Sequence, residues 1–462
     1  MGFCVCLSRS SRGGQRENFC SSSLCVYNAL GNCSCALCWN ERYFLNRFVY
    51  GLLRAEFILS FKEKLRRTIV FRRNIQTLAL AGTLTAVATS SLNPISQPFI
   101  ASLLPDVTAL GGILSTAVLF SSLFSVGGGL LADKHGRKRV LTLGIVLCCI
   151  GAIAYFKSRI LVELLTAVLL STVGTSLILS TMTALTAESV TARSRASAFG
   201  FVEMSRAVGN VLGPMIGGWI WIVYGIRSPF LFAFTMYLVV LVGVLMLLKE
   251  THRREWRTRV LPWKLSEIKQ IHHSLPDPRS LYMLVLAQII ISFGGAVGGS
   301  LFVLYAYEVI LAEPLELSVI TSLSTAISII VMIPAAVISD RIGRIPPLLM
   351  HEILFVTMQF GFALAQTPVH LILVSTLGGI GAIGIPGFRA LQTELMPQEH
   401  RVKLLSLYSF ISGLAATPGP LISALVWGSL GPRMMFVISG LLVLPTAIVV
   451  YTSVKETLRK PS

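Results

Sequence analysis

Apolar and polar positions along this chain are grouped in blocks. Runs of roughly 20 apolar residues recur between short polar breaks, and that length carries a helix across a ~30 Å hydrocarbon layer. They fall near 75–100, 111–132, 140–156, 160–186, 196–222 and 228–248. After a polar stretch to about 280 come 281–310, 317–339, 346–365, 370–391, 402–430 and 434–454. The pattern predicts an all-α membrane protein with 12 transmembrane helices.

Composition sharpens that reading. The 462 residues are 54% hydrophobic and only 13% charged, with a mean hydropathy of +0.74; soluble domains carry about 25% charged residues. The apolar runs hold no paired catalytic carboxylates, and the sequence shows no metal-ligand cluster and no Gly-x4-Gly-Lys-[Ser/Thr] phosphate loop. An enzyme, a metal, a resident cofactor and direct ATP drive are therefore not expected. The net charge of +18 could suggest nucleic acid, but the cations alternate between loops. Lys134, Arg137, Lys138, Arg139, Arg193, Arg195, the 249–279 stretch, Arg341, Arg344, Arg401 and Lys403 fall on one side, and Lys157, Arg159, Arg227 and Arg433 on the other. That is the positive-inside pattern of a plasma-membrane protein with both termini cytoplasmic, and nucleic-acid binding is set aside.

The organisation expected is a Cys/Ser-rich then basic tail (1–70), a six-helix bundle (71–250), a basic linker (251–280), a second bundle (281–455) and a short cytoplasmic tail (456–462). Seven of the nine cysteines lie before residue 39, and Cys35-x-x-Cys38 lacks the second pair or histidines a zinc site needs. Residues 1–40 show no apolar core with a cleavage site, and read as a disordered tail or an upstream extension.

One stretch organises the rest. Gly129-x3-Asp133-x2-Gly136-Arg137-Lys138-Arg139 sits between two apolar runs, and Asp340-x2-Gly343-Arg344 repeats it 207 residues on. Glu188 recurs as Glu394, Gly213-Pro214 as Gly419-Pro420, and Lys249-Glu250-Thr251 as Lys455-Glu456-Thr457, each 206 residues on. A constant offset over separate landmarks means two six-span halves in the same orientation, able to enclose a central cleft.

These motifs resemble the major facilitator superfamily over about residues 70–460. The fifth-span ladder Gly200-x8-Gly209-x3-Gly213-Pro214-x2-Gly217-Gly218 is similar to the motif of its drug/proton antiporters. The resemblance implies a secondary transporter that moves small molecules by alternating access, outward and in exchange for protons, as a monomer. An importer or facilitator of a small solute, and a receptor or scaffold without flux, are the alternatives. It also implies that Asp133 latches onto the start of the eleventh span near residue 402, and Asp340 onto the fifth near 196. Spans one, four, seven and ten would line the cleft, which makes Asn93, Gln97, Gln288, Ser292 and Tyr305 substrate candidates. Gly209, Gly213 and Gly217 recur every four residues and share a face, so they suit close helix packing beside the kink at Pro214. Glu203, Arg206 and Arg389 are intramembrane charges, functional by default because burying them is costly. The chain departs from the family where an acid is usual in the first span and an arginine in the fourth, near Thr166. Glu203 is the remaining deep acid noticed in the first half.

Overall fold

The computed structural model describes residues 73–457, apart from 105, 191–193, 251–274 and 276. The tail over 1–72, most of the linker and residues 458–462 lie outside the described residues, as do the side chains at 196, 402 and 403.

The described residues form sixteen helices. In the first half these are α1 (Arg73–Ser91), α2 (Ser96–Leu103), α3 (Val107–His135), α4 (Arg137–Lys157), α5 (Leu161–Glu188), α6 (Arg195–Tyr224) and α7 (Ser228–Leu247). The second half has α8 (Pro278–Gly299), α9 (Phe302–Glu308), α10 (Pro314–Ile342), α11 (Ile345–Leu364) and α12 (Pro368–Gly381). It ends with α13 (Gly384–Glu394), α14 (Arg401–Ala416), α15 (Gly419–Leu430) and α16 (Met434–Ser453). Eleven spans are long and apolar enough to cross a membrane, and α1 with α2, bent by 41°, makes the twelfth. The bend falls at Asn93-Pro94, where proline supplies no backbone donor. This is an all-helical, multi-span membrane protein.

Local chemistry sets the helix ends. Asp106 caps α3, accepting from the Thr108 hydroxyl and, at 2.9 Å, from the Thr108 amide, and those bonds hold its carboxyl below the usual aspartate range. Glu313 and Glu316 form a capping box at the start of α10. Asp277 caps α8 by accepting from the Ser280 amide at 3.3 Å, and that bond is the main reason its carboxyl is held low.

Within the first half α1 packs on α6 and α7, and α4 on α5 and α7; α8 and α11 both pack on α16 in the second. The halves meet through α2 with α9, α6 with α10, and α3 with α14 and α15. The largest apolar core draws on both halves, joining Phe99, Leu110 and Ile113 to Leu304, Tyr305, Leu317, Ala424 and Phe436. Two further cores stay inside one half each, around Ile75, Ile145 and Val244, and around Leu284, Leu391 and Val450. The halves thus share a core at one end, here called the far end. They keep separate cores toward the end that carries Gly136 and Gly343, the hinge end.

Candidate functional site

Each hinge is a tight turn followed by a capped helix. Gly136 and Gly343 have φ of 96° and 113°, in the left-handed region that side chains rarely adopt. The turn aims the next amides at a glutamate. Glu250 accepts from the Lys138 amide at 3.1 Å, and Glu456 from the Arg344 and Ile345 amides at 3.0 Å each. A carboxylate at these helix starts meets the positive end of the helix dipole. The repeated Lys-Glu-Thr triplet, visible in the sequence without a role, is therefore a cap for α4 and α11. Lys138, which sequence reasoning leaves to the bias for cations, instead donates to the Leu245 and Leu248 carbonyls at 2.9 and 2.7 Å, closing the end of α7.

The hinge arginines gather two acids apiece. Arg137 reaches Asp133 at 3.2 Å and Glu188 at 2.7 Å; Arg344 bonds Asp340 and reaches Glu394 at 3.1 Å. Burial works against the charge on Arg344, and the bonds to Asp340 and Glu394 outweigh it, raising its pKa above the ordinary arginine value. In both arginines Nε is buried without a bond. The ion pairs of Asp133 and Asp340 run within their own half. Among the described residues neither acid bonds across to the fifth or eleventh span.

The glycines explain why. Gly111 and Gly129 lie eighteen residues apart on α3, five full turns and so one face, ~27 Å along the axis. A Cβ on Gly111 would meet Pro420 O at 2.8 Å and Leu421 Cα at 3.2 Å, whereas one on Gly129 would meet nothing within 4 Å. Gly218 and Gly200 on α6 repeat the arrangement at the same spacing, the first against Ser318 and Pro314, the second facing open space. Asp133 in turn sits five turns beyond Ser115, which accepts from the Leu421 amide at 3.0 Å. It therefore shares the face of α3 that meets the other half. The halves close at the far end and part toward the hinge end.

Gly209, Gly213 and Gly217 do line one face of α6, pressed on α1 within the first half: a Cβ at Gly213 would sit 2.8 Å from Val87 O. Pro214 lies inside α6 and leaves it one continuous helix.

The cleft candidates divide. Gln97 does not face a cleft; it clasps the far end, donating to Ser300 O at 2.8 Å and accepting from the Leu304 amide at 3.0 Å. Tyr305 is fully buried and donates to Phe362 O at 3.1 Å, because its short helix α9 turns into the shared core. Asn93 stays exposed at the break in the first span. Gln288 and Ser292 do form a polar cluster, with Ser412 at 3.2 and 2.7 Å and the Tyr408 hydroxyl donating to Gln288 at 3.2 Å. Arg389 is exposed and within 3.5 Å of Gln392. Glu203 and Arg206 pair at 2.9 Å, with Arg206 packed toward Gly82 on α1.

The family model of the Major Facilitator Superfamily matches residues 78–369 and 284–462. This chain belongs to that superfamily. Among curated relatives, the multi-drug resistance efflux pump PmrA of Streptococcus pneumoniae is 25% identical over 81% of this chain and 94% of its own length. The multidrug resistance protein MdtG of Escherichia coli is 24% identical over 84% and 96%. A bacterial homologue of the human lysosomal transporter Spinster, solved inward-facing and unoccupied, shares the fold with a TM-score of 0.68 at 14% identity, over 82% of this chain and 95% of that one. Major facilitators are membrane transporters for small molecules and in general need no cofactor. The chain is a transporter of this superfamily, and the relatives named above are a multidrug efflux pump and a multidrug resistance protein.

The second half holds a buried acid that sequence reasoning passed over. Glu352, two turns into α11, is 1% exposed; the Thr446 hydroxyl of α16 lies 3.1 Å from Oε2, and Oε1 is buried with no bond. One layer along the same helix pair Gln359 bonds Ser439, whose hydroxyl donates to Gly294 O at 2.6 Å. In sequence nothing marks this acid beside His351 near a helix start; the packing of α11 on α16 turns it inward.

Proposed function

We propose that this protein exports small molecules across the plasma membrane by alternating access, as a monomer with both termini in the cytoplasm and with proton antiport as its drive. The observation that carries the reading is the paired glycine geometry on α3 and α6: packed on the other half at Gly111 and Gly218, free of it at Gly129 and Gly200. Two rigid halves sharing one apolar end can rock about it, and Gly129, Gly200, Asp133 and Asp340 stand where the open end would close. With the hinge end cytoplasmic, as its cations favour, the conformation is inward-open and ready to load cargo for export. The drug-efflux relatives support the outward direction. The two halves, 71–250 and 281–455, act in this reading as the rocking bodies, joined by the basic linker 251–280.

The missing first-span acid and fourth-span arginine favour a second reading, a facilitator of a small organic solute. Purified protein in liposomes separates the two. A proton-linked exporter concentrates a dye such as ethidium when a pH gradient is imposed; flux that ignores the gradient makes it a facilitator. Binding without flux leaves a receptor.

A further inference from the structure

We propose that Glu352 is the group that binds and releases the exchanged proton, in a polar seam between α11 and α16. The proposal rests on the proton-antiport reading above.

The internal repeat provides the control. With the offsets of these spans, Glu352 corresponds to Ile145 and Gln359 to Ala152, while Thr446 corresponds to Val240 and Ser439 to Ala233. In the first half all four are apolar and at most 2% exposed, inside a continuous core. The same helix pair therefore packs without any polar group, and the second half has put an acid and three hydrogen-bonding side chains where none is needed for the fold. An intramembrane acid that packing does not require is a functional site by default.

The geometry also indicates which form of the acid fits. Thr446 has one hydroxyl proton. Its oxygen lies 2.5 Å from Val443 O and 3.1 Å from Glu352 Oε2. If that proton goes to the nearer carbonyl, the carboxyl must supply the other, donating from Oε2 to Thr446. Among the described residues no cation pairs with the carboxyl, and an unpaired charge in such a place is costly. On release, the O–H bond of the acid breaks and the proton leaves to water. Thr446 then turns its own proton from Val443 O to the carboxylate, which supplies the bond the anion needs.

The groups around it connect to the cleft. Tyr408 on α14 is within electrostatic reach of both Glu352 and Arg389 of α13, and its hydroxyl bonds Gln288 of α8. His351, next along α11, faces Gly381 O of α12 at 2.7 Å. A cationic cargo beside Gln288 thus favours the carboxylate, and its departure favours the acid, which is the sign an antiporter requires.

The test uses full-length protein in liposomes with ethidium as the probe. Wild type should accumulate the dye under an interior-acid gradient and, in detergent, release about one proton per dye bound. Glu352→Gln, which fixes the neutral shape, should lose about tenfold or more of the driven accumulation and all of the proton release, while gradient-free ethidium exchange persists. Driven accumulation or proton release equal to wild type in that variant overturns the proposal, and so does loss of exchange along with accumulation, which would make Glu352 a cargo ligand. A wild type indifferent to the gradient sinks the antiport reading instead. Glu352→Ile with Thr446→Val copies the first-half seam and should insert and fold; if neither variant folds, the acid is a packing requirement and the proposal fails.

Discussion

Gly111 and Gly129 make the rocking motion testable with opposite signs on one helix face. In the present conformation a methyl group at 111 is forced against Pro420 O at 2.8 Å and Leu421 Cα at 3.2 Å, both backbone atoms that cannot swing away. Overpacking of this kind costs ~1–3 kcal/mol. The cost falls only on the state closed at the far end, so Gly111→Ala should shift the balance about 5- to 150-fold toward the opposite state. Gly129 faces nothing within 4 Å, so Gly129→Leu costs nothing now and meets its clash only when the hinge end closes. The helix-propensity gain of replacing glycine, ~1 kcal/mol, is common to both states and cancels. Spin labels at the exposed positions Lys134 and Arg341 report the hinge end, and labels at Lys157 and Gln366 the far end. Gly111→Ala should shorten the first distance and lengthen the second. Gly129→Leu should hold the first long and stop transport. If both variants move the distances the same way, or Gly129→Leu transports normally, the rocking geometry is wrong.

Three further outcomes are expected. Asp133→Asn should abolish dye transport while expression stays near wild type; unimpaired transport refutes its part in closure. Gly213→Val should destabilise the protein by ~1–3 kcal/mol, seen as a lower thermal midpoint, because Val87 O and Ser91 N leave no room at 2.8 and 3.0 Å. Asp277→Ala should remove a helix cap worth about 1 kcal/mol at neutral pH. Bonds to Ser280, then Lys455, hold that carboxyl below its ordinary 3.8, so its stabilising effect is full above that value and fades as pH falls through the lower folded-state pKa. The gap in midpoint between wild type and variant should narrow at strongly acid pH and stay constant from pH 5 upward.

Most of the scaffold was legible because it is periodic. The span count and the 206–207 offset both follow from spacing along the chain. What spacing could not supply was depth and facing. Gln97 and Tyr305 look like cleft residues in a linear sequence, yet the break before α2 leaves Gln97 in the far-end clasp and α9 carries Tyr305 into the core. Glu352 was invisible for the complementary reason: in sequence it stands close to a hinge full of charge, and its burial arises from α16, almost a hundred residues later. Glu250 and Glu456 were visible as a repeat, but their role as caps depends on the glycine turns that bring distant amides to them.

The shared far-end core and the charged hinge end also respond to different physical variables. Phe99, Tyr305 and Phe436 belong to one apolar core that weakens on cooling, as apolar burial does. Asp133, at 42% side-chain exposure, and Asp340, at 66%, stand at an end where salt screens charge. Temperature therefore acts chiefly on one gate and ionic strength on the other. A cold membrane favours parting of the far end, and high salt weakens whatever grip the hinge end has once closed. In the proposed rocking motion the two ends would thus answer to different conditions, each set by its own composition.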